Sequence, residues 1–192
     1  MDKEDTRYVT ADRKIREAFC TMLKDSSIDK VNTGDIISVA GVHKSTFYSH
    51  YRDKYDLLSS IGDDLIDVLY PCLEKIFIGM LKENRSQEEL VGYHVELAKL
   101  IFAQEESFRL IIRDQSGSIT PKIAERIERI WHEQDIAGHD SILGSYLVNA
   151  VTYVITGTIE NWIRRECTDP VEVFIPLMDA VGMSIRHVLS SV

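Results

Sequence analysis

Cysteine chemistry is the first thing this sequence lacks. Its three cysteines, Cys20, Cys72 and Cys167, are odd in number, far apart and outside any C-x-x-C spacing. Neither a disulfide framework nor a zinc site is expected, and a reducing, cytoplasmic setting fits. Strand-like alternation of useful length, internal repeats and low-complexity tracts are missing as well. So are a Gly-rich phosphate loop, H-E-x-x-H and a G-x-S-x-G nucleophile elbow. The adjacent pairs Glu88-Glu89 and Glu105-Glu106 point to different helix faces and read as solvated charge rather than acid/base dyads. His43 and His50, seven apart on one helical face, have no third ligand nearby. No catalytic residue, metal or cofactor is expected. The N-terminal M-D-K-E-D-T-R has no apolar core, so no signal peptide is expected. Residues 141–159 carry no charged side chain, which approaches membrane-span length. That run contains Ser141, Ser145, Asn149, Thr152, Thr156 and Thr158, which favours a helix buried on several sides over a membrane span.

What is present is helical pattern and an uneven charge. Residues 1–62 hold 10 Lys+Arg and 10 Asp+Glu; residues 63–192 hold 12 and 21, so the second part carries the whole net charge of −9. Phosphate would be repelled by that part, and any affinity for it must come from locally placed cations in the first. Ile15, Ala18, Phe19, Met22 and Leu23 form one apolar stripe of a first helix. Asn32 is placed to cap a second helix, with Asp35 in its first turn. Gly41 supplies a turn that tolerates positive φ. A third helix over about 44–51 follows, and Asp53 is placed to cap a fourth from Lys54, which Pro71 should kink or end. Further helices are predicted near 86–103, 105–114, 120–134, 140–166 and 170–190, with Pro170 in the first turn of the last.

Helix, glycine turn and short helix over 33–51 make a helix-turn-helix, whose second helix lies in the DNA major groove. Such a helix needs small or polar residues at its exposed start. Lys44, Ser45 and Thr46 meet that need: Lys44 can donate to guanine O6/N7 and the Thr46 methyl can meet a thymine methyl. Tyr48, Ser49 and His50 offer donors to phosphates or bases, and Lys54 adds a charge beside helix N–H groups that favour an anion. Phe47 and Tyr51, spaced i, i+4, face the core. The expected fold is all-α: a three-helix DNA-binding head over 1–55 and a larger helical regulatory and dimerisation body over 56–192.

The string A-G-V-H-K-S-T-F-Y-S-H-Y-R-D-K-Y-D-L-L resembles the signature of the tetracycline-repressor (TetR) family of bacterial transcription regulators, over about residues 10–60. The resemblance implies DNA contacts by Thr33, Lys44, Ser45, Thr46, Tyr48, Ser49, His50 and Lys54, with Tyr48 and Lys54 on phosphates. Three departures stand out: Gly34 where many members carry a long side chain, His43 in place of a Ser/Thr cap, and an acidic arm of Asp2, Glu4 and Asp5.

In the body, Leu143, Leu147, Ala150, Val154, Gly157 and Asn161 make one stripe, and Phe174, Met178, Val181, Ile185, Val188 and Val192 another. Paired across two chains these would form a four-helix homodimer interface, as the last two long helices do in the family. Two recognition helices about 34–36 Å apart then imply a near-palindromic operator on double-stranded DNA. Family bodies often hold a ligand between the fourth and eighth helices. Tyr93, Phe102, Phe108, Trp131, Tyr146 and Tyr153 are the candidate lining here, suited to an apolar or aromatic effector. The expectation is a homodimeric regulator, a repressor released by a small molecule. The alternative is a helical interaction module or co-activator that keeps the head fold and acts through a protein partner.

Overall fold

The computed structural model describes residues 3–81, 86–113, 119–134, 141–167, 169–173 and 175–189. Among these the regular structure is helical throughout: α1 (Lys3–Asp25), a 3-10 turn (Ile28–Lys30), α2 (Thr33–Ala40), α3 (Lys44–His50), α4 (Lys54–Leu81), α5 (Gln87–Ala103), α6 (Glu105–Arg113), α7 (Thr120–Glu133), α8 (Ile142–Arg164), a second 3-10 turn (Val171–Val173) and α9 (Ile175–Leu189). Two compact units are defined, Met1–Asp64 with Arg109–Ser118, and Leu65–Phe108 with Ile119–Val192.

In the first unit α1 packs on α2 and α3. The predicted stripe supplies the contact: Ile15, Ala18, Phe19 and Leu23 are buried together with Ile36, Ala40, Phe47 and Tyr51. Gly41 ends α2 at φ 63°, the left-handed conformation that costs a residue without a Cβ nothing in sterics. Its N–H returns to the Ser38 carbonyl. Asn32 occupies the N-cap of α2 but makes no cap bond; its amide donates to the Asp35 carboxylate at 3.3 Å instead. Asp53 does cap α4, its Oδ1 accepting from the N–H groups of Tyr55 and Asp56 at 2.8 and 2.9 Å.

Pro71 does not end α4, which runs through it. Proline removes only the bond to the carbonyl four residues back. That residue is Asp67, exposed like Pro71 itself, so water can serve the released carbonyl.

In the second unit α7 packs on α8, α8 on α9, and α5 on the second 3-10 turn. Ser86 and Glu89 form a reciprocal capping box on α5, which gives one of the adjacent glutamates a structural task. Helix α8 is long and apolar enough to cross a membrane by length and composition alone. Its hydroxyls do not oppose an apolar setting: buried Thr152 and Thr156 donate to the carbonyls of Val148 and Thr152, each at 2.8 Å. One side of α8 is buried through Val148, Val151, Ile155, Ile159 and Trp162, and the other is exposed through Ile142, Tyr146, Tyr153 and Gly157. The predicted last helix divides: Pro170 precedes the 3-10 turn, accepting from the Val173 N–H at 3.1 Å, and α9 begins at Ile175.

Candidate functional site

The surface of α3 is set by which of its side chains the core takes. Phe47 is fully buried and Tyr51 nearly so. Lys44, Ser45, Tyr48 and Ser49 are therefore exposed, and Thr46 is half-buried beside them. The Lys44 ammonium stands 5.9 Å from the centroid of the Tyr48 ring, and Tyr48 is itself about half exposed. The Ser49 hydroxyl donates to the Thr46 carbonyl at 2.7 Å, leaving its oxygen to accept. His43 holds the N-cap position without a side-chain bond to the helix. On α2, Thr33 is half-buried and Gly34 is exposed, with nothing within 4 Å of where a Cβ would stand.

Two expected contact residues are placed differently. The Lys54 ammonium turns inward, donating to the carbonyls of Ile28 (2.7 Å), Val31 (2.9 Å) and Asp29 (3.4 Å). These acceptors match its three protons, and the nearby N–H groups expected to favour an anion are taken by Asp53. Lys54 thus ties the start of α4 to the first 3-10 turn. The His50 side chain is only 2% exposed. Its ring stacks on Tyr8 with centroids 3.8 Å apart, and Nδ1 lies 3.7 Å from Asp12. Its Nε2 is buried with no hydrogen-bond partner among the described residues.

Beneath α3 lies a polar hub that the sequence reading missed. Arg16 donates to Asp12 on its own helix at 2.9 Å, and to Asp64 (2.6 Å) and Ser60 (2.8 Å) on α4. The Tyr51 hydroxyl donates to Asp12. Burial and that bond to Asp12 hold the Tyr51 phenol above its usual range. Burial, reinforced by Arg16, holds His50 below its ordinary value despite the opposing pull of Asp12. The i, i+4 spacing of Asp12 and Arg16 was visible in the sequence; their partners 39 to 48 residues away were not.

In the second unit, the six aromatics expected to line a pocket do not converge. Phe108 and Trp131 are fully buried in the core, Trp131 against Phe77 at 5.6 Å between centroids. Phe102, Tyr146 and Tyr153 are exposed, and Tyr93 is half-buried with the Lys75 ammonium over its ring. A cavity among the described residues, about 510 Å³ with the open solvent at its mouth included, lies between α4, α5 and α8. Helix α5 lines it with His94, Leu97, Ala98 and Ile101, and α8 with Ile155, Thr158, Ile159 and Trp162, each set spaced i, i+3, i+4, i+7. Leu73 and Ile76 of α4 complete the wall. The thiol of neighbouring Cys72 donates to the Tyr93 carbonyl at 3.1 Å, and burial pushes its pKa up to about 11.

The proposed dimer stripe is divided too. Ala150, Gly157 and Asn161 are exposed, Leu143 borders on exposed, and Leu147, Val154 and Val181 are half-buried. Ile185 is buried within its own chain, 4% exposed, and so is not free to meet a partner. Phe174 and the Met178 side chain lie outside the described residues.

In the first unit one long helix packs on two short ones joined at Gly41, a helix-turn-helix arrangement, and the regular structure described in the second unit is helical too. No family model and no curated protein matches the chain. Solved structures do. A TetR transcriptional regulator from Streptococcus agalactiae 2603V is similar with TM-score 0.61 and 21% identity, covering 93% of this chain and 97% of that one. A TetR-family regulator from Syntrophomonas wolfei str. Goettingen has TM-score 0.61 and 14% identity, covering 92% and 94%. The dihydroxyacetone kinase operon activator DhaS has TM-score 0.54 and 14% identity, covering 93% and 97%. The chain has the fold of the TetR-family transcriptional regulators.

Proposed function

We propose that this chain is a transcription regulator that binds double-stranded DNA as a homodimer, at a near-palindromic site, in the cytoplasm. One observation carries the reading: α3 buries Phe47 and Tyr51 while turning Lys44, Ser45, Tyr48 and Ser49 outward, after a left-handed turn at Gly41. Base contacts then fall to Lys44 and Thr46, and phosphate contacts to Tyr48 and Ser49, with Thr33 on α2 beside them. Lys54 and His50 support that surface from behind. Dimerisation is assigned to the exposed side of α8, where Ala150 and Gly157 let a partner backbone approach, with Tyr146 and Tyr153 alongside. A small molecule in the α4–α5–α8 cavity would release or engage the DNA.

The test is selection of bound genomic fragments followed by gel shift at two salt concentrations. A palindromic site with steep salt dependence supports the reading. No enrichment at low salt, from folded dimer, supports the second reading, a co-activator acting through a protein partner. The acidic body, the bare surface at Gly34 and the similarity to an operon activator favour that one.

A further inference from the structure

The lining of the α4–α5–α8 cavity says what it can hold. Among the described residues that line it there is no Asp, Glu, Lys or Arg. A charged ligand would lose its hydration there and meet no counter-charge, so the occupant must be uncharged and largely hydrocarbon. Three lining side chains carry polar atoms, and two have spent their protons. The Thr158 hydroxyl donates to the Val154 carbonyl at 2.7 Å, and the Trp162 indole N–H donates to the Asp169 carbonyl at 3.0 Å. Thr158 can therefore only accept, and it matches a ligand that donates. His94 is the third.

Trp162 has a second connection. Its indole reaches the segment joining α8 to α9, and the Cys167 N–H returns to its carbonyl at 3.0 Å. Arg165 pairs with the Asp169 side chain over the same span. Glu166 and Cys167 there hold φ of 59° and 51°, left-handed conformations that L residues seldom adopt. A ligand that shifts the Trp162 ring must stretch or break its bond to this joint, beyond which the chain continues to the second 3-10 turn and α9.

We infer that the cavity takes an uncharged, mainly aliphatic molecule with one hydroxyl-type donor, and that Trp162 passes its arrival to the α8–α9 joint. The effect on DNA rests on the regulator reading; the binding does not. The test is titration of the full chain with 1-octanol and with octanoate, followed by indole emission. The expected result is a saturable change with the alcohol, at least tenfold weaker binding of the carboxylate, and loss of the signal in Trp162→Phe, where Trp131 remains. Thr158→Val, which keeps the volume, should weaken the alcohol about fivefold, the equivalent of one neutral hydrogen bond. Equal or tighter binding of octanoate would overturn the uncharged class. A saturable signal that survives Trp162→Phe would overturn the role of Trp162. No saturable change with either probe, from wild-type protein of native helix content, would overturn the cavity as a site. Gel shift of the unliganded protein separates the two readings: alcohol binding without DNA binding sinks the regulator alone, and the reverse sinks the ligand alone.

Discussion

Helices α2 and α3 of the first unit have eight and seven residues, while α8 in the second runs for 23. Helices as short as α2 and α3 are not stable alone and must be held by their neighbours. Apolar contact through Phe47 and Ile36 supplies attraction but little direction. Direction comes from the Arg16 hub and from the Lys54 ammonium on three carbonyls, because hydrogen bonds specify angle as well as distance. Helix α8 relies on length and on a broad buried side, and its hydroxyls are satisfied within the helix. A unit that presents side chains to a partner needs its geometry fixed to fractions of an ångström. A unit that encloses a cavity needs only walls.

Gly157→Glu would break this contrast most severely. The site is open space within its own chain, and replacing glycine should strengthen the helix by about 0.5–1 kcal/mol. A partner packed there would be expelled, so light scattering should report a monomer and palindrome binding should fall steeply. A variant that stays dimeric would move the interface off this side of α8. Next comes Arg16→Met, which removes the bonds to Asp12, Asp64 and Ser60. The first unit should lose about 1–3 kcal/mol in urea unfolding, and Leu73→Met in the second unit should cost less than about 1.5.

Lys44→Ala should leave stability unchanged and relax base preference at one operator position, at about 1–3 kcal/mol. A uniform loss over all sequences would remove Lys44 from base contact. Lys54→Met sharpens the division between holding and reading. Calorimetry should show about 1 kcal/mol lost with its carbonyl contacts, while the salt dependence of DNA binding keeps its slope. A slope lowered by about one would return Lys54 to a phosphate.

The smallest effect is that of pH. Folding holds His50 below the ordinary value near 6.5. Above that pH the ring is neutral in both states and its contribution is complete. As pH falls through the ordinary value, the unfolded chain takes up a proton that the folded one resists, so stability declines. Urea midpoints at pH 8 and 5.5 should differ more for the wild type than for His50→Gln.

Periodicity made the helices readable: the stripe from Ile15 to Leu23, the turn at Gly41 and the cap at Asp53 all follow from local rules. The helical fold was legible for that reason. Exposure on α3 was legible because it is set locally. Lys44, Ser45 and Tyr48 are exposed because Phe47 and Tyr51, at fixed helical offsets, are not. The surroundings of Lys54 and His50 were not legible because their partners, Val31 and Tyr8, are distant in sequence. The pocket aromatics were misjudged for a related reason. Side-chain size says that a residue is buried somewhere, but only packing says whether it lines a void, and this cavity is walled by Leu97, Ala98 and Ile159.

Pro71 bears on how α4 opens. The helix lacks one internal bond where the Asp67 carbonyl has no amide to meet, and that bond lies near the middle of 28 residues. Amide exchange should therefore not fade smoothly from the two ends toward the centre. Protection should dip around Pro71, so that a single continuous rod exchanges with solvent as two segments, each keeping its own time.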